Sequence, residues 1–179
     1  AAEPRNGADY LTLPEAQNTD AGNKIEVTEF FAYYCPHCNR FEKPISAWVK
    51  KQGANIVFKR VPVGGGAGIT TQQRLFYTLE ALGMIESHHQ KAFDAVHIDR
   101  LRLATEEEAF AWAARAGIDR ARFVEAWNSF GVQAKQRRYI TSPSIAGESD
   151  KAAQTEEAQQ QAALKVMDYL VAKAKAEKK

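Results

Sequence analysis

Ile25-Glu26-Val27-Thr28-Glu29-Phe30-Phe31-Ala32-Tyr33-Tyr34-Cys35-Pro36-His37-Cys38 is the stretch whose reading decides the fold. From Ile25 to Tyr34 it mixes apolar, β-branched and aromatic residues as a buried strand does, and Gly22-Asn23 supplies the turn before it. From Cys35 onward the reading changes to helix. Phe41, Ile45, Trp48 and Val49 fall near helical spacing, Pro36 suits a first turn and Gly53 suits the end. Pro44 removes a backbone donor inside this helix and is expected to kink it. A cysteine pair therefore sits where a strand feeds a helix, the context that gives the common C-x-x-C spacing a specific redox reading.

Cys35 and Cys38 are the chain's 2 cysteines, so one local pair can form and a stapled scaffold cannot. A cross-link closing so short a loop stabilises a fold little, because the chain-entropy gain grows with loop length. Chemistry explains the pair better than stapling. At a helix start the unpaired N–H groups and the positive dipole end favour an anion, so the first thiol should ionise more readily than a free cysteine. Cys35 is the expected nucleophile. Cys38, one turn further in, can attack a mixed disulfide at Cys35 while being less exposed to outside substrates, and is the expected resolving thiol. His37 can add positive charge and polar donors near the sulfur, while Pro36 donates no hydrogen bond; both favour thiolate. Each unit by which the thiol pKa falls below ambient pH stabilises the reduced form by ~1.4 kcal/mol, or ~30 mV of oxidising potential. The expected direction is donation of disulfides.

Working outward, Ile56 to Val63 reads as a second short strand, and Gly64-Gly65-Gly66-Ala67-Gly68 marks a change of organisation. It reads as a linker, since no Gly-Lys-Ser/Thr follows to make a phosphate cradle. From Thr70 to about Gln136 the pattern is helical. Leu75, Leu79 and Leu82 form one stripe ended by Gly83, and His88 to Val96 forms a shorter helix. Thr105 with Glu108 is a capping box opening a helix that Gly117 ends, and Asp119 caps the next. Asp150 to about Lys173 is a last amphipathic helix whose lysine-rich end suits the macrodipole and should fray. Trp48, Trp112, Trp127, Phe76 and Phe123 fit helix-core packing. A strand-helix-strand opening is thus interrupted by a helical block before the chain returns to its first unit. The corresponding division is 1–63 with 137–179, and 64–136 as an insertion.

Composition narrows the function classes. The 179 residues, 45% hydrophobic and 10% aromatic, can bury a sizeable core, which excludes a disordered chain. With 24 basic against 22 acidic side chains, the net charge of +2 gives no electrostatic case for a nucleic-acid or membrane-surface partner. The longest apolar stretch, Phe30 to Cys35, is far too short to span a bilayer. The start Ala1-Ala2-Glu3-Pro4 suits a mature exported form after small-residue cleavage, with a cytosolic protein the alternative. A zinc site needs about four ligands. His88 and His89 are adjacent and diverge on a helix, and His97 lies far from a usual finger spacing; all three read as surface or packing residues.

Glu29-Phe30-Phe31-Ala32-Tyr33-Tyr34-Cys35-Pro36-His37-Cys38, followed by Phe41-Glu42, resembles the bacterial DsbA family of periplasmic thiol:disulfide interchange proteins. The resemblance extends through the glycine run, the helical block, Tyr139-Ile140-Thr141-Ser142-Pro143 and the closing helix. It implies an α/β, thioredoxin-like fold with an inserted helical domain. It also implies a periplasmic monomer that oxidises newly exported polypeptides, with no cofactor beyond the Cys35-Cys38 disulfide and with reoxidation by the membrane protein DsbB and its quinone. By position, Glu29 matches the family's buried acidic residue beneath the active site, where it would influence thiol ionisation and proton transfer. An ungapped match puts Phe58 at the family's lysine position, with Lys59 beside it on the opposite strand face, so either the match slips or that charge pair is absent here.

One departure stands out. Thioredoxin-like enzymes carry a cis-proline loop against the C-x-x-C, followed by a central strand. Gly131 to Tyr139 passes from helix to the Tyr-x-x-x-Pro segment with no Val-Pro or Thr-Pro and no β-rich run. Pro143, after Ser142, matches a later family position. The expectation is a shortage of residues between Gln133 and Tyr139, seen as a Cα step longer than 3.80 Å, with a core strand and part of the substrate site lost if the shortage is a true deletion. Within enzymes, an isomerase or reductase of the same fold is the runner-up; outside them, a non-catalytic, chaperone-like binding module.

Overall fold

The computed structural model describes residues 2–136 and 155–178. Two strands and seven helices follow one another among these residues: β1 (Ile25–Phe31), α1 (Pro36–Gln52), β2 (Ile56–Pro62), α2 (Ala67–Ala81), α3 (Ile85–His97), α4 (Glu106–Arg115), α5 (Arg120–Trp127), α6 (Phe130–Gln136) and α7 (Glu156–Glu177). The two strands pair side by side. The N–H of Val63 donates to the Phe31 carbonyl at 2.8 Å; Phe31 ends β1 and Val63 directly follows the end of β2, so the two strands run parallel. α1 is the crossover that such a pair requires. It runs unbroken through Pro44.

The described residues fall into two compact units, one of 2–29, 43–59 and 155–178, the other of 30–42 and 60–136. In the first, the buried side chains Ile45 and Trp48 of α1 and Val171 of α7 form part of the interior. The Trp48 indole N–H donates to Asp168 Oδ1 at 2.8 Å, and Gln52 Nε2 donates to the same oxygen at 3.0 Å. The lysine-rich end of α7 does not fray at Lys173. It continues to Glu177, because Lys175 Nζ donates to Asn55 Oδ1 and Lys178 Nζ donates to the carbonyls of Gly22 and Lys24. Backbone carbonyls hold what composition alone would leave to solvent.

The second unit contains the helical block, where α2 packs on α3, α4, α5 and α6. Its core is the predicted stripe: Leu75 and Leu79 are fully buried, joined by Phe76, Phe93, Trp112, Phe123 and Trp127. The Thr105 box forms as read, with the Glu108 N–H donating to Thr105 Oγ1 at 3.2 Å and the Thr105 N–H donating to Glu108 Oε2 at 3.3 Å. Asp119 Oδ1 accepts from the Arg122 N–H at 2.9 Å and starts α5. The sequence passage from 137 to 154, which includes Tyr139 to Pro143 and the later part of the interval where a shortage of residues is expected, lies outside the described residues; from Gln133 to Gln136 the chain runs on unbroken as α6.

Candidate active site

β1 stops at Phe31, three residues short of the expected Tyr34, because the chain turns there to enter α1. The Cys35 N–H donates to the Ala32 carbonyl at 3.1 Å, closing that turn, and the Cys35 carbonyl accepts the Asn39 N–H at 3.1 Å as α1 begins. Cys35 Sγ lies at the first turn of the helix, where the Cys38 N–H donates to it at 3.4 Å. A sulfur placed against backbone donors and the positive helix end can hold negative charge, the property a nucleophilic thiol needs. Both cysteines are in the thiol form and half-buried. Pro36 and His37 are exposed beside them.

Arg40 places its guanidinium Nη2 3.2 Å from His37 Nδ1. Arginine only donates, so in this contact Nδ1 is the accepting atom. Arg40, one turn along α1, thus places a fixed positive charge beside His37 and the motif. Two aromatic side chains are open near the cysteines, Tyr34 at 46% and Phe30 at 37% exposure. Gly64, with φ 127°, explains part of the glycine run: a Cβ there would run into Ile69 Cγ2 at 2.6 Å and crowd the Tyr34 hydroxyl at 3.2 Å, in a backbone conformation that other residues rarely adopt.

Behind the motif lies a buried polar cluster that sequence reading did not single out. Glu42, one turn beyond Cys38, accepts a hydrogen bond from Arg60 Nη2 of β2 at 2.7 Å. His89 Nε2 of α3 lies 3.4 Å from the other Glu42 oxygen, within reach of charge attraction though not aligned as a hydrogen bond. On its other side, His89 Nδ1 is 2.8 Å from the Tyr33 hydroxyl, and His97 Nε2 donates to the Tyr33 carbonyl at 2.7 Å. Glu42, His89 and Tyr33 are all buried. Burial pushes the His89 pKa down, opposed by its contact with Glu42, and burial together with the Glu42 charge pushes Tyr33 well up. His89 reads as a packing residue from sequence; its ring does pack, edge-on against Phe31, Phe76 and Phe93, but it is also a polar link.

Glu29 is half-buried on β1. Lys59, expected on the strand face opposite the family's lysine position, pairs with other acids: its Nζ lies 3.0 Å from Glu26 and 3.7 Å from Asp20. The hydrogen bond from Lys59 holds the Glu26 carboxyl below its ordinary value. Residues alternate across a strand, so Lys59 serves one face of β2 and Arg60 the other. Among the described residues no cluster of histidine, cysteine and acidic side chains could hold a metal ion.

Fold and site together define the class, a thiol:disulfide oxidoreductase on a thioredoxin-like α/β scaffold with inserted helices. Residues 26–142 match the model of the DSBA-like thioredoxin domain, and the chain belongs to that family. It is 35% identical over 192 aligned positions to the thiol:disulfide interchange protein DsbA of Bordetella pertussis, covering 96% of this chain and 87% of that protein. It is 43% identical over 133 positions to the DsbA of Burkholderia cepacia, covering 74% of this chain and 63% of that protein. The crystal structure of Pseudomonas aeruginosa DsbA superposes with a TM-score of 0.82 at 28% identity, covering 96% of this chain and 94% of that one. The Bordetella alignment, at 192 positions against the 179 residues of the chain, leaves at least 13 positions filled by the relative alone.

Proposed function

We propose that the chain donates a Cys35-Cys38 disulfide to reduced cysteines of newly exported polypeptides in the periplasm. A substrate thiolate attacks Cys35 Sγ, the Cys35-Cys38 bond breaks, and Cys38 leaves with the electron pair and takes up a proton. A second substrate thiolate then attacks the substrate sulfur of the mixed disulfide. Cys35 leaves as a thiolate, the substrate has lost two electrons and the protein has gained them. A membrane quinone oxidoreductase of the DsbB kind returns the dithiol to the disulfide. No cofactor other than the cysteine pair is required.

The observation that supports this reading best is the Cys38 N–H aimed at Cys35 Sγ from 3.4 Å at the start of α1. It stabilises the charged sulfur of the reduced form, which makes the disulfide a good oxidant. Arg40 against His37 adds positive charge in the same place, and Glu29 is assigned a part in proton transfer at the cysteines. Tyr34 and Phe30, both open, offer apolar contact to an unfolded chain. The division into 1–63 with 137–179 and a 64–136 insertion remains our reading of the domains, supported by the helical run that begins after the glycines.

The test is oxidative refolding of a reduced substrate protein. The oxidised chain should transfer one disulfide per molecule, and Cys35→Ser should transfer none. Equilibration with glutathione should give a potential well above that of thioredoxin, ~−270 mV. A potential at or below that figure would assign the chain to the reductases instead, and failure of the unaltered chain to transfer any disulfide would leave a binding module.

A further inference from the structure

Tyr33, two residues before the nucleophile, is held at both ends by one helix. His97 Nε2 donates to its carbonyl at 2.7 Å and His89 Nδ1 meets its hydroxyl at 2.8 Å. His89 and His97 are eight residues apart on α3, just over two turns, so they share a face. The tautomers follow from the partners. A carbonyl only accepts, so His97 carries its proton on Nε2. The Glu42 carboxylate, paired with Arg60, favours a proton on His89 Nε2, which leaves Nδ1 to accept from the Tyr33 hydroxyl.

We propose that His97 and His89 are positioning residues for disulfide exchange, fixing Tyr33 and through it the turn that aims Cys35 Sγ at the amide donors of α1. The covalent path is short. Tyr33 lies inside the turn closed by the Cys35 N–H on the Ala32 carbonyl, so a rotation of the Tyr33 peptide is passed directly to Cys35. The consequence differs between redox states. In the disulfide, Cys35 Sγ is tied to Cys38 and needs no outside alignment. In the dithiol its placement against the Cys38 N–H depends on the turn. Loss of the clamp therefore weakens the reduced form more, and the protein becomes a poorer oxidant. This inference rests on the reading of Cys35 as nucleophile.

The experiment compares the full chain with His97→Leu, His97→Gln, Tyr33→Phe and Cys35→Ser. Its readouts are the equilibrium in which two glutathione thiols reduce the Cys35-Cys38 disulfide, the rate of Cys35 alkylation at fixed pH, and thermal unfolding. His97→Leu and Tyr33→Phe should each lower the equilibrium constant for enzyme reduction about five-fold, the order of one net hydrogen bond, and slow alkylation in parallel. His97→Gln, which keeps a donor, should restore the constant to within about two-fold of the parent. A constant unchanged in folded His97→Leu and Tyr33→Phe overturns the proposal. Should His97→Leu fail to fold, an unchanged constant in Tyr33→Phe, or no difference between Tyr33→Phe and His97→Gln, overturns it as well. Disulfide transfer surviving in Cys35→Ser would instead overturn the assignment of the nucleophile.

Discussion

At the scale of single residues, the most consequential contact outside the motif is Arg60 on Glu42 at 2.7 Å, with both side chains largely withdrawn from water. A buried ion pair contributes modestly as a pair, but stripping away one member leaves an uncompensated charge. Arg60→Met should cost about 3–5 kcal/mol of stability by urea unfolding, and the double variant Arg60→Met with Glu42→Leu should recover most of it. A second outcome concerns His89. Its pKa is depressed in the folded state by burial, so below the unfolded value of 6.5 the unfolded chain binds more protons than the native one. The stabilisation is complete above that value and is lost as pH falls below it, with Glu42, Arg60 and Tyr33 the polar groups facing the ring. Unfolding free energy measured between pH 7 and pH 5 should fall for the parent protein, and its slope should flatten in His89→Gln. These contacts also explain what could be read in advance. The cysteine pair is legible because its partners are neighbours in sequence. Arg60 and Glu42 are 18 residues apart, Tyr33 and His89 are 56, and Tyr33 and His97 are 64. No local spacing encodes such separations. Signals were nonetheless present: an acidic residue one turn after Cys38 on the inward face of α1, a tyrosine within a strand of buried type, and two histidines on one helix face.

At the scale of elements, starts were easier to read than ends. The Thr105 box and the Asp119 cap were recognisable because each is a side chain bonding a backbone group three residues on. Thr105→Ala should cost about 1 kcal/mol and lower the melting temperature by about 2–4 °C, followed by circular dichroism. Ends depend on what comes next in space. β1 finishes at Phe31 because the Ala32 carbonyl is taken by the Cys35 N–H, not because the residues from Ala32 to Tyr34 disfavour a strand. The last helix likewise outruns its expected end by borrowing acceptors at Asn55, Gly22 and Lys24, far away in sequence.

At the scale of the whole molecule, the family relation rests on residues 26–142, and the Bordetella alignment contains at least 13 positions with no residue of this chain opposite them. Inserting a cis-proline loop and strand of the thioredoxin-like kind between Gln133 and Tyr139 should raise the melting temperature and increase the rate of disulfide transfer to an unfolded substrate; an insertion that lowers both would rule out a shortage of residues there. The two units also differ in what they carry. Trp48, bonded to Asp168, belongs to one, while Trp112 and Trp127 belong to the other. Each compact body thus contains its own fluorophore, sealed from solvent. With Trp48 exchanged for phenylalanine, the remaining emission comes from the helical body alone, so the spectrum itself can report whether the halves melt as one or in sequence.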